Sequence, residues 1–260
     1  MERDPQSHKT ENGIVAIIGG SRVMHGAPLF TALAAESSGV DLVHIAIPAC
    51  HTEVTKATSL NFQVHPFAGN DLAENDTEEI LELLATMDCA VLGPGVDHAN
   101  AESKDSLLQI AEGASCALVL DAAALQQETL ALVHGKQAVL TPHLGELERM
   151  GIASDAMQET AKENDVTIVF KGPTDRIISP DGSEDIVEGG NAGLTVGGSG
   201  DVLAGLIAGL IAQKIAPSDA CKIASTIVKR AGEELFVKRG YAYTARDVIE
   251  QIPQLLHKLG

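Results

Sequence analysis

Gly197-Gly198-Ser199-Gly200-Asp201 opens directly into Val202-Leu203-Ala204-Gly205-Leu206-Ile207-Ala208-Gly209-Leu210-Ile211-Ala212. Small residues let a backbone approach a ligand closely, and a helix beginning at Asp201 aims its free N–H groups and positive dipole end at an anion held in the loop. The Asp201 carboxylate then stands where a bound phosphate chain ends, placed to take a proton from a hydroxyl attacking the terminal phosphoryl group. Asp is also a favoured N-cap residue, so the stretch taken alone reads equally well as a capped turn. The apolar run after Asp201 is 11 residues long, short of the roughly 20 that a membrane span needs. Its Ala and Gly positions fit a closely packed core helix.

Outward from this stretch, short Val/Ile/Leu runs alternate with longer amphipathic segments, the pattern of β–α units on a mostly parallel sheet. Strands are expected over 13–18, 42–47, 88–92, 116–120, 137–140, 167–170 and 176–179. The last turns through Pro180-Asp181-Gly182 into 185–187 as an antiparallel hairpin. Helices are expected over 26–38, 77–86, 100–113, 144–150, 155–164, 201–213, 218–238 and 244–257. The fold class is therefore α/β, with helices on both faces of the sheet. One domain is expected over 13–260, preceded by a flexible polar tail, 1–12.

Composition narrows the function. A chain of 260 residues with 45% hydrophobic content can bury a large core. With 18 basic against 36 acidic residues, the net charge of −18 argues against nucleic acid as a partner and favours a local positive pocket on an acidic protein. The four cysteines, Cys50, Cys89, Cys116 and Cys221, are far apart and form no C-x-x-C pair, as in reduced proteins. No apolar stretch resembling a secretory signal occurs in residues 1–12, so a cytoplasmic protein with no membrane partner is expected.

Open α/β sheets bind ligands beyond the carboxyl ends of their strands. The unusual residues gather there: Gly19-Gly20-Ser21, Gly93-Pro94-Gly95, Asp121, Thr141-Pro142-His143 and Lys171-Gly172 each follow an expected strand. Turns and surface residues explain each cluster singly, but turns do not need to share a rim. Several familiar motifs are excluded by spacing. There is no G-x-x-x-x-G-K-[ST], and Gly93-Pro94-Gly95-Val96-Asp97-His98 lacks the third glycine of a dinucleotide fingerprint. His143 and Glu146 are too close for an H-E-x-x-H zinc site, and Gly197–Asp201 lacks the second glycine of G-x-S-x-G.

Together these segments resemble the NAD(P)H-hydrate dehydratases of the ribokinase-like superfamily, which repair damaged nicotinamide cofactors using ADP or ATP. The resemblance rests on Gly19-Gly20-Ser21 with Gly26-Ala27-Pro28, on Gly93-Pro94-Gly95, on Thr141-Pro142-His143-Leu144-Gly145-Glu146, on Phe170-Lys171-Gly172, and on Gly190-Asn191-Ala192-Gly193 leading into Gly197–Asp201. It implies a ribokinase-like three-layer sandwich. It also implies that Ala27, Gly95, His143 and Asp201 line the site for the hydrated nicotinamide nucleotide, with Asp201 catalytic. Lys171, Gly172, Pro173, Thr174, Asp175 and Gly200 are implied to contact the adenine nucleotide. A cation at Lys171 and N–H groups at Gly198, Ser199 and Gly200 suit phosphates. Glu146 matches an acidic position that in related kinases helps hold Mg²⁺, though a carboxylate in the first turn of a helix is equally at home there.

The implied reaction consumes ADP or ATP and returns NADH or NADPH. The same resemblance implies a symmetric homo-oligomer, a tetramer, with any epimerase on a separate chain. Three positions depart from the family pattern: Asp97 replaces the last glycine of the Gly-Pro-Gly-x-Gly loop, Ala123 replaces a second aspartate after Asp121, and Asp175 replaces the threonine of the Lys-Gly loop. The main alternative is an ATP-dependent small-molecule kinase of the same superfamily, phosphorylating a vitamin precursor or sugar. His143 favours the dehydratase, because the related vitamin kinases carry Asn in the Thr-Pro-x-x-x-Glu stretch.

Overall fold

Strand residues alternate between two dry faces, so nearly continuous apolar runs are needed on every central strand. The structure is a computed structural model describing residues 3–259. Among them nine strands form one sheet: β1 (Ile14–Ile18), β2 (Leu42–Ile47), β3 (Phe62–Pro66), β4 (Cys89–Leu92), β5 (Ala117–Leu120), β6 (Ala138–Leu140), β7 (Val166–Phe170), β8 (Asp175–Ile178) and β9 (Glu184–Val187). Their order is β3-β2-β1-β4-β5-β6-β7-β8-β9. All pairs from β3 across to β7 are parallel, and β7, β8 and β9 pair antiparallel. Strand order reverses between β1 and β4, the topological switch point of the sheet.

The helices are α1 (Gly26–Ser37), α2 (Thr52–Thr58), α3 (Thr77–Leu84), α4 (Ala101–Gly113), α5 (Thr129–Val133), α6 (Leu144–Arg149), α7 (Met157–Asn164), α8 (Ser199–Ala212), α9 (Pro217–Arg239) and α10 (Ala245–Leu259). Ile17, Val91 and Val119 point into a core closed by α1, α8, α9 and α10. Their neighbours Ile18, Leu92 and Leu120 point into a second core under α3, α4, α6 and α7. This is the expected three-layer α/β arrangement.

The sequence pattern misses β3, α2 and α5 and sets one boundary wrongly in a way that matters. β3 is an edge strand carrying Gln63, His65 and Pro66, so it shows no apolar run. The helices α2 and α5 have seven and five residues, too short for helical periodicity to register. α8 begins at Ser199 with Gly198 at the N-cap, so Asp201 lies inside the first turn instead of capping it.

α8 is buried from Val202 to Ala212 and lies directly on α1. A Cβ built on Gly205 would sit 2.0 Å from the Thr31 carbonyl oxygen, and one on Gly209 would sit 2.1 Å from Ser38 Oγ. The two glycines thus set how closely the helices approach. Gly205→Ala is expected to destabilise the protein by about 3 kcal/mol, because backbone must move to make room. An unchanged denaturation midpoint would show that α1 and α8 are free to separate.

Among the described residues no helix is long and apolar enough to cross a membrane. Cys89 and Cys221 are buried and unpaired, whereas Cys50 is exposed. Of the tail, residues 1 and 2 lie outside the described residues. Residues 3–12 run in turns, where Arg3 pairs with Asp41 and the Asn12 N–H donates to Asp41 Oδ2 at 3.0 Å.

Candidate active site

The carboxyl ends of β1, β4, β5, β6 and β7 lie on one rim, and their loops are tied to one another. At the switch point the Gly20 N–H donates to the Pro94 carbonyl at 2.8 Å. Gly95 stands against the start of α1, where an added Cβ would lie 3.3 Å from Ala27 Cβ. Two of the four residues expected to line the site for the nicotinamide nucleotide, Ala27 and Gly95, are therefore neighbours. Further along the rim the Lys171 N–H donates to the Pro142 carbonyl at 2.9 Å, joining the loops after β6 and β7.

Lys171 is the hub of a buried charge cluster. Its ammonium lies 2.7 Å from Asp121 Oδ1 and 3.5 Å from Glu146 Oε2. Asp121 Oδ1 also accepts the Thr141 hydroxyl at 2.8 Å. Glu146 is the third residue of α6 and forms a capping box with His143: its Oε2 accepts the His143 N–H at 2.9 Å, while His143 Nδ1 accepts the Glu146 N–H at 3.2 Å. This leaves the largely exposed His143 ring at the mouth of the site. Just past Asp121, Ala122 adopts φ +50°, a left-handed conformation that costs an alanine about 1 kcal/mol. Arg149 holds it there by donating to the Ala122 carbonyl at 2.6 Å and to that of Leu125 at 2.8 Å.

α8 brings Asp201 to the same cluster. Burial pushes its carboxyl up to about 7; the Asp121 charge adds to this, Lys171 opposes it, and Glu146 adds a little more. For Lys171 burial alone would lower the affinity for its proton, but the negative charges of Asp121, Glu146 and Asp201 outweigh it and hold the ammonium protonated. The loop before α8 turns at Gly198, φ +99°, where an added Cβ would lie 2.7 Å from Phe30 Cδ2, so no larger residue fits this turn. The Val196 carbonyl accepts the Ser199 N–H and Gly198 accepts that of Val202. Among the described residues the N–H groups of Gly200 and Asp201 have no hydrogen-bond partner, and they point from a positive helix end. Gly200 lies beside the hub: an added Cβ would be 3.5 Å from Lys171 Nζ.

A cleft of about 800 Å³ opens between the 171–175 loop, the 189–196 segment and the start of α8. His143, Lys171, Gly172, Pro173, Ser199 and Gly200 line it, whereas Thr174 and Gly198 stand outside its lining. Asp175 also borders it, but its carboxylate is turned onto the loop, accepting the Gly172 N–H at 3.0 Å and lying 3.5 Å from Lys229 Nζ. Of the residues that build the site, sequence reasoning placed Asp121 and Thr141 on the rim without giving them a role, and it missed Lys229. A lysine in a long amphipathic helix carries no signal that sets it apart from a solvated one. Among the described residues no group of three or more His, Cys, Asp or Glu side chains is placed to hold a metal.

This geometry has close relatives. Residues 15–254 match the family profile described as NAD(P)H-hydrate dehydratase. A protein from Cenarchaeum symbiosum named ADP-dependent (S)-NAD(P)H-hydrate dehydratase is 35% identical over 266 residues, covering 98% of this chain and 92% of that one. A Bacillus subtilis ADP/ATP-dependent NAD(P)H-hydrate dehydratase, co-crystallised with ATP and Mg²⁺, is 25% identical with a TM-score of 0.80, covering 100% of this chain and 94% of that one. A ribokinase-like protein from Enterococcus faecalis, 24% identical with a TM-score of 0.85 over 99% of this chain and 91% of that one, shares the fold. With the profile spanning nearly the whole chain and the rim residues in place, this chain belongs to the NAD(P)H-hydrate dehydratase family.

Proposed function

We propose that this protein dehydrates the 6-hydroxy form of NADH or NADPH back to the working cofactor, consuming ADP and releasing AMP and phosphate. Residues 13–260 act as one catalytic unit. The observation that carries the reading is the coupling of Asp201 to Lys171 in one buried charge cluster, at the edge of the cleft that Lys171 and Gly200 line; Asp201 itself stands behind that lining. A phosphate chain in the cleft would end against Gly200, whose N–H and the Lys171 ammonium supply positive charge to the phosphoryl group in flight. The relatives named for ADP, and the ATP/Mg²⁺ co-crystal of the Bacillus subtilis protein, support an adenine nucleotide as that ligand.

Ionised Asp201 takes the proton of the C6 hydroxyl as that oxygen attacks the terminal phosphorus, and the bond from phosphorus to the bridging oxygen of ADP breaks to give AMP. The ring nitrogen lone pair then expels phosphate from C6, and loss of the C5 proton restores the ring alkene. Ala27 and Gly95 hold the hydrated ring and its nucleotide on the switch-point side of Asp201, and His143 meets that ligand from the mouth of the cleft. Lys171, Gly172 and Pro173, with Ser199 and Gly200, hold the adenine nucleotide on the other. Mg²⁺ carried on the nucleotide, with Glu146 as its protein carboxylate, would neutralise phosphate charge.

The test is absorbance at 340 nm, where only the restored cofactor absorbs, after mixing protein with hydrated NADH, Mg²⁺ and ADP. A rise that depends on nucleotide supports the proposal. No rise with ADP or ATP, on substrate validated with an active dehydratase, would move the reading to a small-molecule kinase. We further propose a symmetric tetramer, supported by the exposed apolar Phe236, Val237 and Tyr241 at the end of α9. Light scattering that gave a 27.1 kDa species would overturn that assembly.

A further inference from the structure

We propose that Lys229 is a positioning residue for the adenine nucleotide, holding the 171–175 loop in its binding shape from the buried face of α9. The inference rests on the nucleotide reading of the cleft. Lys229 is only 4% exposed. Its ammonium donates to the Gly172 carbonyl at 3.2 Å and the Pro173 carbonyl at 3.0 Å, and lies 3.5 Å from Asp175 Oδ1. All three oxygens belong to one loop, and they match the three hydrogens of a nearly buried ammonium at the wall of the cleft. Asp175 closes the arrangement by accepting the Gly172 N–H at 3.0 Å.

These bonds are not what holds α9 to the sheet. Ala224, Ile227, Val228 and Ala231 do that by entering the core. The polar contacts of Lys229 therefore specify the loop and not the fold. The same helix face fixes the opposite wall of the cleft. The Gly232 carbonyl accepts Asn191 Nδ2 at 2.8 Å, and Glu233 Oε1 accepts the Gly190 N–H at 2.9 Å. Positions 229, 232 and 233 are neighbours on a helix surface, so one stripe of α9 sets the spacing between both walls. The departure at Asp175 fits this picture: an acid there supplies the third partner of a buried lysine.

Lys171 keeps its own ties to Asp121, Glu146 and the Pro142 carbonyl, so a loop that loses the Lys229 tether shifts the Gly172–Asp175 backbone while the Lys171 ammonium stays beside Gly200. Lys229→Met is expected to raise the KM for ADP at least ~10-fold, as misplacements near 1 Å do. The kcat at saturating ADP should change by less than about threefold, because the polar contacts of Lys229 go to Gly172, Pro173 and Asp175 and not to Asp201 or Lys171. Hydrogen exchange should quicken at the amides of residues 172–175 while those of α9 keep their protection. A purely structural role would lower the melting temperature and move neither readout. Folded Lys229→Met with a KM for ADP within about twofold of wild type, or with a loss in kcat alone, would overturn the proposal. Should that variant not fold, Asp175→Asn, which removes the negative partner of Lys229, is read the same way. Calorimetry of wild type with ADP separates the two levels of the claim. Binding by wild type with equal binding by Lys229→Met removes only the role of Lys229, whereas no binding by wild type removes the nucleotide reading and this inference with it.

Discussion

Asp201→Asn is expected to lower turnover of hydrated NADH by at least ~100-fold, the low end of the effect of removing a general base. ADP affinity should survive, since Lys171 and the N–H groups of α8 are untouched. The pH profile carries a second signature. With the Asp201 carboxyl held at about 7, kcat/KM should fall about tenfold per unit as pH drops below that value, and the Asn variant should lose this limb. Stability should move the other way. A carboxylate whose folded pKa is raised from 3.8 to about 7 costs nothing while protonated in both states, and costs its full amount only above the folded value. Unfolding free energy should thus decline between roughly pH 4 and pH 7 in wild type, and Asp201→Asn should melt higher than wild type at pH 8. A variant that keeps full turnover, or one that loses turnover by unfolding, would remove Asp201 from the role of base.

Lys171→Met is the second large effect. The ammonium stands 2.7 Å from Asp121 and 3.5 Å from Glu146, so its removal leaves three carboxylates in one pocket without a cation. We expect kcat/KM for ADP to fall by about 10²–10³, the range for deleting a preorganised group that meets developing charge. Stability should fall by about 3 kcal/mol, because a buried pair broken on one side strands its partner. Acidification should relieve that penalty by protonating the stranded carboxyls, which a lost apolar contact would not allow. Lys171→Arg should not rescue, since a planar fork cannot take the place of a compact ammonium among three acids. ADP affinity equal to wild type by calorimetry would show that Lys171 is a structural ion and no part of the nucleotide site.

The sheet was readable because its central strands are buried on both faces, and only near-continuous Val, Ile and Leu runs satisfy that burial. β3 escaped because an edge strand has no such need. The rim was readable for a related reason: the glycines and polar residues that follow each strand interrupt an otherwise apolar text. What the text could not show is partnership. Asp121 and Lys171 are 50 residues apart and touch only because β5, β6 and β7 are adjacent. Gly172 and Lys229 are 57 apart, and nothing local in α9 hints that the lysine turns inward. The start of α8 was misplaced by two residues because a Gly-Ser-Gly segment has weak helical preference, and it is helical here through the packing of Gly198 on Phe30 and Ala245.

The burial of α8 on every side also decides which parts of the enzyme are free to respond to substrate. With Gly205 against the Thr31 backbone and Gly209 against Ser38, the helix that carries Asp201 has no room to slide or roll. Asp201, the proposed base, is therefore a stationary datum, and accommodation of the proposed adenine nucleotide falls to the segments 171–175 and 189–196 that line the cleft. A change of nucleotide preference in this scaffold would be written in those two segments, while the reference point against which they are aligned stays where the core put it.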